Sequence, residues 1–171
     1  MTGTVYLTAP LEECQGSRRE HEHAQAYALL SRLLGEEPSS LAVAHDPKGA
    51  PFLPQRPDLH VSVSHCRTAV AAAVSGEWRV GIDVESRRKV GEGLMERVCT
   101  DEELAAVRAD ADPEMAFLRL WTRKEAVLKC RGTGIKGFGS MRSALTEGDC
   151  EVVDVECGVP DTVAAMAVAR R

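Results

Sequence analysis

The sequence contains few aromatic residues and no long hydrophobic run, and both absences limit what the chain can be. Aromatic side chains make up only 4% of the 171 residues, so a core must be built mainly from alanine, valine and leucine. A membrane-spanning helix needs about 20 consecutive apolar residues, and no such run occurs. We therefore expect no membrane segment. The first residues, MTGTVYLTAPLEECQG, lack the basic and apolar stretches of a signal peptide, so we expect none.

The cysteines and the charges argue against further classes of protein. The six cysteines are scattered without a CxxC pair, so we expect free thiols in a cytoplasmic protein rather than disulfides or a structural zinc site. The formal net charge is −5 and neither half of the chain is basic, which argues against a nucleic-acid-binding protein. The sequence also lacks a GxxxxGK[ST] phosphate-binding loop and a GxSxG nucleophile elbow.

The hydrophobic patterns predict an α+β fold in which helices pack on mostly antiparallel strands. Thr100 with Glu103 predicts a capping box, and Pro113 marks the first turn of the longest helix. The predicted strands cover residues 4–9, 59–65, 68–75, 78–85, 150–157 and 162–170, with a strand, a turn and an extended segment over 41–53. The predicted helices cover residues 17–34, 91–98, a segment from 100, and 113–131, and the weakest seam between two halves lies at 75–77.

The segment VGIDVE (80–85) places two carboxylates on one side of a predicted strand. Its valine and isoleucine residues alternate with Gly81, Asp83 and Glu85, so one face enters a core and the other carries the acids. Two acids side by side repel each other unless a cation lies between them, and Mg²⁺ prefers such oxygen ligands. Two exposed acids on an open sheet face are an equally simple interpretation, and the pair alone does not decide.

A third acid, Glu125, lies in or beside the apolar stripe of the longest helix. A carboxylate in such a stripe is costly unless it is paired, and Lys129, four residues on, could be its partner. If Glu125 instead converges with Asp83 and Glu85, the three form a candidate Mg²⁺ site. The stripe consists of Phe117, Leu118, Trp121 and Leu128.

Two other segments carry candidate phosphate ligands. Ser62 and Ser64 lie on one face of the strand VSVSH (61–65), and His65 ends it, so these side chains could bind phosphate oxygens. A strand terminus with a turn-forming serine and an ordinary histidine explains them as well. Lys48 lies in the tight turn PKGAP (47–51), which has a surface turn as its simpler interpretation.

In combination, three of these segments resemble the 4′-phosphopantetheinyl transferases. The segments are VSVSHC (61–66), VGIDVE (80–85) and WTRKEAVLK (121–129), in this order, and the resemblance covers roughly residues 41–140. It is to the larger, single-chain type that acts on polyketide and nonribosomal peptide carrier proteins. That type implies two similar α+β halves with pseudo-twofold symmetry, here residues 1–77 and 78–171, with coenzyme A in the cleft between them.

The resemblance also implies a reaction and its partners. The 4′-phosphopantetheine arm of coenzyme A would move to a serine of an apo acyl or peptidyl carrier protein, releasing adenosine 3′,5′-bisphosphate in an Mg²⁺-dependent step. The partners would be coenzyme A and the carrier protein, without nucleic acid or membrane, and the enzyme would be a cytoplasmic monomer. A coenzyme A-binding or nucleotide-binding module of the same fold without catalysis is the alternative.

The matching positions imply a role for each candidate residue. Asp83, Glu85 and Glu125 correspond to the Mg²⁺ ligands, and Glu125 is our candidate general base, acting directly or through a water. Ser64 and His65 correspond to contacts with the phosphates of coenzyme A. Lys129 corresponds to the basic residue that faces the pyrophosphate. The candidate catalytic residues are Asp83, Glu125 and Lys129. The candidate ligands of coenzyme A are Arg19, Lys48, Ser64, His65 and Lys129.

Two segments depart from the family pattern. Relatives carry basic residues near the start of the first helix and about two turns on, where they meet the adenosine 3′-phosphate. Arg18 and Arg19 fit the first place, but AQAY (24–27) leaves the second without a basic residue, and His21, His23 or Arg32 could compensate. In the lysine turn, many relatives have GKP where this chain has KGAP. If the two glycines are aligned, Ala50 occupies the position of the relatives' lysine, and Lys48 would have to supply the charge from the other side of the glycine.

The stretch from Leu118 to Arg142 has seven basic residues and one acid. Such a surface would attract an acidic carrier protein and make docking sensitive to salt. A solvated helix face is the simpler interpretation of a charge run alone. The seven are Arg119, Arg123, Lys124, Lys129, Arg131, Lys136 and Arg142.

Overall fold

The computed structural model describes residues 3–13, 17–134 and 138–169. Within these ranges the chain alternates between strands and helices, which confirms the predicted α+β class. None of the described helices has both the length and the apolar character needed to cross a membrane. The elements are β1 (Thr4–Pro10), α1 (Arg18–Leu34), a 3₁₀ turn (Pro38–Ser40), β2 (Ala44–His45), β3 (Pro51–Phe52), β4 (His60–His65), β5 (Ala69–Ser75), β6 (Arg79–Ser86), α2 (Glu92–Val98), α3 (Asp101–Ala109), α4 (Pro113–Arg131), α5 (Phe138–Ser143), β7 (Glu151–Val155) and β8 (Thr162–Ala169).

The longer strands form two antiparallel sheets of three strands each. The first sheet has the order β1-β5-β4 and the second has the order β6-β8-β7. In the first sheet the central strand is β5, with β1 and β4 at the edges. In the second sheet the central strand is β8, with β6 and β7 at the edges. The short strands β2 and β3 pair in a separate hairpin. The two sheets thus repeat one strand order, and the first sheet ends at Ser75, just before the predicted seam.

The sheets lie between the two long helices, because successive side chains of a strand face opposite ways. On β5, Val70, Ala72 and Val74 form a core with Leu29 and Leu30 of α1. The alternate alanines of β5, at 69, 71 and 73, pack with Ile82 of β6 and Met166 of β8. The other face of β8 packs on α4 through its alanines at 165, 167 and 169. These small residues fill the layers, which explains how a chain with so few aromatic residues closes its core.

Gly81 fixes how closely α4 packs on β6. A Cβ atom at this position would lie 2.0 Å from the carbonyl oxygen of Ala126 and 2.5 Å from the backbone nitrogen of Cys130. Only glycine permits that approach. The face of β6 that carries Asp83 and Glu85 is therefore covered by the helix that carries Glu125 and is not an open sheet face.

Three shorter helices pack behind α4 and are joined to it by a buried lysine. Lys124 is fully buried, and its Nζ donates to the carbonyl oxygens of Val98 and Arg142 at 2.9 and 3.1 Å and to Glu103 Oε2 at 2.7 Å. The capping box of Thr100 and Glu103 is present as predicted. The sequence patterns did not predict α5, whose six residues show only one buried side chain, Met141.

Candidate active site

A cleft of about 790 Å³ opens between α1, the β2–β3 hairpin, the end of β4, β6 and α4. Its volume is in the range of small-molecule binding sites. The eight side chains to which the sequence assigned catalytic, metal-binding or coenzyme A-binding roles line this one cleft, although they come from five separate parts of the chain. They are Arg19, Lys48, Ser64, His65, Asp83, Glu85, Glu125 and Lys129. The structure therefore brings residues of separate motifs into one cleft. The role of each residue stays a prediction.

Asp83 is the most buried of the three acids in the cleft, at 6% exposure. Its Oδ1 accepts hydrogen bonds from Ser64 Oγ and Lys129 Nζ, both at 2.8 Å. Its Oδ2 is buried and has no hydrogen-bond partner among the described residues. A buried carboxylate oxygen without a partner is costly, so this atom is suited to receive a cation or a donor from a ligand.

Lys129 joins three elements through its ammonium group. Besides Asp83 Oδ1, Nζ donates to the carbonyl oxygens of Ile82 at 3.0 Å and Val63 at 3.4 Å. The ion-pair partner of Lys129 in the structure is thus Asp83 rather than Glu125 one helical turn away. A fixed positive charge consequently lies at the junction of β4, β6 and α4.

The pKa values of the other two acids show how crowded this corner is with negative charge. Burial raises the pKa of Glu125 to about 7; Asp83 and, more weakly, Glu85 contribute, and Lys129 opposes the shift. Burial also raises the pKa of Glu85, as does Asp83, while Arg88, 3.6 Å from Glu85, lowers it. A cation bound beside Glu85 and Glu125 would oppose both upward shifts in pKa.

The wall formed by α1 carries cationic and titratable groups. Arg19, His23 and Tyr27 follow one another at intervals of four residues and all line the cleft, and His65 faces them from the end of β4. His65 Nδ1 lies 3.3 Å from Glu22 Oε2, and its ring centre is 5.5 Å from that of His23. The cleft thus presents acids on one side and imidazoles and a guanidinium on another.

Comparison with known proteins identifies the family. Residues 79–161 match the 4′-phosphopantetheinyl transferase superfamily. The chain is 31% identical over 155 residues to the 4′-phosphopantetheinyl transferase AcpT of Escherichia coli (strain K12), which covers 85% of this chain and 76% of the relative. The chain belongs to the 4′-phosphopantetheinyl transferase superfamily. This membership confirms the expectation of a transferase.

Other members of the superfamily match over shorter segments. The 4′-phosphopantetheinyl transferase HetI of Nostoc sp. is 32% identical over 126 residues, covering 70% of this chain and 53% of HetI. The 4′-phosphopantetheinyl transferase psf-1 of Bacillus pumilus is 34% identical over 102 residues, covering 58% of this chain and 43% of the relative. The chain therefore spans about half the length of these two relatives and about three quarters of AcpT.

The superfamily resemblance implies Mg²⁺, and the donors in the cleft fit that ion. Among the described residues no group of three His, Cys, Asp and Glu side chains is already arranged as a metal site. Lys129 and Ser64 hold Asp83 Oδ1 and leave Oδ2 without a partner within the described residues. Mg²⁺ is usually bound by one or two protein carboxylates together with waters and substrate phosphates. The unpartnered Asp83 Oδ2, with Glu85 and Glu125 in the same cleft, meets that requirement.

Sequence analysis missed several residues of the cleft. Tyr27 and His45 both line it, and the Tyr27 hydroxyl lies 2.9 Å from His45 Nε2. Tyr27 could have been found from its spacing of eight residues from Arg19, since both then lie on one side of α1. Ser62, which the sequence did offer as a candidate phosphate ligand, also lines the cleft, and its Oγ accepts the Ile82 N–H at 3.1 Å and so links the two sheets. For His45, the sequence of the β2–β3 hairpin contains no comparable spacing that would have indicated a place in the cleft.

The basic stretch of residues 118–142 is not a free positive surface. Arg123 pairs with Asp154, Arg131 with Asp149 and Glu147, and Arg142 with Asp101. Lys124 is buried against Glu103. Of these seven residues Lys136 lies outside the described ranges, and Arg119 is the exposed one that forms no ion pair within them. Within the described part of this stretch, Arg119 is therefore the basic residue that remains available to attract an acidic carrier.

Proposed function

We propose that the protein transfers the 4′-phosphopantetheine arm of coenzyme A to a serine hydroxyl of an apo acyl or peptidyl carrier protein, with Mg²⁺ as cofactor. The observation that carries the proposal is the buried, unpartnered Asp83 Oδ2 in a cleft that also holds Glu85, Glu125 and Lys129. The reaction is the one for which the relatives are named, and the cleft supplies acids for a cation and basic groups for phosphates.

The acids would hold the metal ion against the diphosphate of coenzyme A. Asp83, Glu85 and Glu125 are the proposed ligands, because they are the acids of the cleft and raise one another's need for positive charge. When bound, Mg²⁺ supplies charge that neutralises the diphosphate and the negative charge that builds on the leaving phosphate. Asp83 would keep its contact to Lys129 through Oδ1 while Oδ2 faces the ion.

The chain's own side chains would position the reacting groups. Lys129 would place a fixed positive charge beside the diphosphate, and Ser64 and His65 would contact phosphate oxygens from the end of β4. The serine oxygen of the carrier forms a bond to the phosphorus on the pantetheine side, and the bond from that phosphorus to the bridging oxygen breaks. Adenosine 3′,5′-bisphosphate leaves with the bridging oxygen.

Glu125 is the proposed acceptor of the serine proton. Burial raises the pKa of Glu125 to about 7 without a metal ion, and a cation bound at the carboxylate would lower it, so the base role rests on the place of Glu125 in the cleft. It lies on α4 four residues before Lys129, so the base and the fixed charge share one rigid element. The proton would pass to Glu125 directly or through a water.

We further propose that one chain forms the whole site as a cytoplasmic monomer of the larger single-chain type, acting on polyketide or nonribosomal peptide carriers. Residues 1–77 and 78–171 would be two halves related by a pseudo-twofold axis, with coenzyme A between them. The repeated strand order of the two sheets supports this arrangement. So does the cleft, whose walls come from both halves, from Arg19 to Gly134.

The decisive experiment incubates the protein with coenzyme A, Mg²⁺ and an apo carrier protein and then weighs the carrier by mass spectrometry. Gain of one phosphopantetheine group supports transfer. Coenzyme A binding without that gain favours the non-catalytic module, for which the missing second basic residue on α1 is the motivating observation. Parallel reactions with an apo fatty-acid carrier and an apo peptidyl carrier domain test the proposed carrier type, since a preference for the fatty-acid carrier contradicts it.

A further inference from the structure

Glu85 has a partner on its own segment to which the motifs assign no role. Asp83 is held by Ser64 and Lys129, whereas Glu85 Oε2 lies 3.6 Å from Nε of Arg88. Arg88 follows Glu85 by three residues and lies just beyond the end of β6. The chain thus places a cation of its own beside one of the three acids proposed to bind Mg²⁺.

Trp121 holds the guanidinium group of Arg88 from the α4 side. The guanidinium carbon lies over the indole ring, 5.9 Å from the ring centre. A cation in this position is attracted by the negative face of the ring. Trp121 and Glu85 both line the cleft, so Arg88 is held between a side chain of α4 and a side chain of β6 at the cleft wall.

Arg87 fixes the backbone from which Arg88 projects. Its N–H donates to the carbonyl oxygen of Asp161 at 2.7 Å, and its guanidinium group pairs with Asp161 at 3.0 Å and with Asp112 at 3.2 Å. Asp112 is the N-cap residue of α4. These contacts tie the end of β6 to the start of α4, so the fold itself sets the place of Arg88 beside Glu85.

The pair of Arg88 and Glu85 is partly open to solvent, with 41% and 22% of the two side chains exposed. The arginine can therefore move aside without leaving a buried cavity. While it is in place, its charge offsets part of the negative charge that attracts a divalent cation. Lys129 differs, because it holds Asp83 through Oδ1 and leaves Oδ2 without a partner within the described residues.

We propose that Arg88 is a counter-ion of Glu85 that opposes the binding of a divalent cation in the ligand-free cleft. The proposal rests on the proposed function, which places Mg²⁺ at Glu85. A ligand that carries phosphate adds negative charge to the cleft and so offsets the charge of Arg88. Arg88 thereby makes metal binding depend more strongly on the diphosphate of coenzyme A.

The test measures Mn²⁺ binding to the ligand-free protein by electron paramagnetic resonance, since Mn²⁺ accepts the same oxygen ligands as Mg²⁺. Arg88→Gln should tighten Mn²⁺ binding about fivefold, the upper end expected for a partly exposed ion pair. Arg88→Lys keeps the charge and should stay within about twofold of the unmodified protein. A damaged fold would weaken metal binding, so a gain in affinity is not a by-product of lost structure.

Arg97→Gln is the matched control. Arg97 also lies over an aromatic ring, 5.3 Å from the centre of Phe138, and neither residue is part of the cleft lining. This variant loses the same charge and the same kind of ring contact, and it should bind Mn²⁺ like the unmodified protein. The proposal is overturned if Arg88→Gln binds Mn²⁺ no more tightly than Arg97→Gln, or if Arg88→Lys gains as much as Arg88→Gln. Failure of all these proteins to bind Mn²⁺ overturns it as well.

The carrier-modification assay separates this proposal from the proposed function. If the unmodified protein modifies the carrier and Arg88→Gln binds Mn²⁺ with unchanged affinity, the proposed function stands and the Arg88 proposal alone is overturned. If no carrier is modified but Arg88→Gln still tightens Mn²⁺ binding, the cation site and its counter-ion stand, and the proposed reaction fails.

Discussion

The two walls of the cleft are built in different ways. The acidic wall consists of β6 and α4, packed so closely that only glycine fits at position 81, and Asp83 and Lys129 in it are held by hydrogen bonds of 2.8 Å. The α1 wall consists of one helix and a two-stranded hairpin, and the ring centre of His23 lies 5.5 Å from that of His65 on β4. One wall is fixed by backbone packing, and the other is assembled from side chains on separate elements.

The difference indicates which part of the site tolerates change. On the acidic wall Lys129 donates to backbone carbonyl oxygens of β4 and β6, so its substitution alters packing and chemistry together. On the α1 wall, AQAY (24–27) leaves the second basic place of the relatives without a basic residue. We therefore expect that changes on the acidic wall abolish activity and that changes on the α1 wall adjust affinity.

The largest expected effect follows from removing an acid of the acidic wall. Glu125→Gln and Asp83→Ala should each reduce carrier modification by about 10³-fold or more, because each removes charge that the reaction needs next to the diphosphate. The measurement is the single-turnover rate with coenzyme A, Mg²⁺ and apo carrier, with circular dichroism to show that the fold survives. Near-normal rates in either variant would mean that the acids were assigned the wrong role.

Gly81→Ala should break the acidic wall by packing alone. The added methyl group would overlap the backbone of α4, and we expect a loss of about 3 kcal/mol or more in the free energy of unfolding. Gly93→Ala is the matched control, because a Cβ there meets nothing within 4 Å and the residue lies in α2, where alanine is favoured. Urea denaturation of both variants measures the difference, and equal stabilities would show that β6 and α4 are not as closely packed as described.

This contrast also explains how much of the molecule could be predicted from the sequence. The acidic wall could be predicted because its chemistry is written in short, rigid motifs, so Asp83, Glu85, Glu125 and Lys129 were all found to line the cleft. The sequence left two interpretations of Glu125 open, a pair with Lys129 along the helix or convergence with Asp83 and Glu85, and in the structure the ion-pair partner of Lys129 is Asp83. Because α4 packs against the sheet, Lys129 forms its ion pair with Asp83 on β6 and not with Glu125 on its own helix.

The α1 wall could be predicted only in part. The helix and its ending at Gly35 follow from local signals, and Arg19, predicted to be a coenzyme A ligand, lines the cleft. Which of three candidates would compensate for the missing basic residue depends on how α1 is rotated on β5, and sequence spacing does not fix that rotation. The pairing of the basic residues of α4 with acids of β7 and the preceding loop was missed for the same reason, because those partners are distant in sequence.

A smaller effect concerns the pH dependence of stability without metal. The pKa of Glu125 is about 7 in the folded protein and near 4.5 for a free side chain, so the folded state holds its proton more tightly. Its contribution is complete below about pH 4.5 and is lost as the pH rises to 7, so stability falls over that range. Allowing for solvent screening in the open cleft, we expect about 1–2 kcal/mol.

Denaturant titrations in EDTA at pH 5 and pH 8 measure this contribution. The drop in the free energy of unfolding should be smaller in Glu125→Gln than in the unmodified protein, because glutamine does not titrate. Other groups change with pH equally in both proteins, so the difference between the two drops reports Glu125. An identical drop in both would show that Glu125 is not buried beside Asp83 as the cleft geometry requires.

The smallest expected effect lies outside both walls, at Arg119. This residue is exposed on α4 and forms no ion pair within the described ranges, so it is the cation of its stretch that is available to an acidic carrier. Arg119→Gln should raise the KM for the carrier about threefold at low salt and leave the KM for coenzyme A unchanged. Arg108→Gln changes the net charge equally, but Arg108 is already paired with Glu92 on α2, so its effect should be smaller. If the KM for the carrier depends neither on salt nor on Arg119, charge steering contributes nothing, and docking depends on surface shape and apolar contact instead.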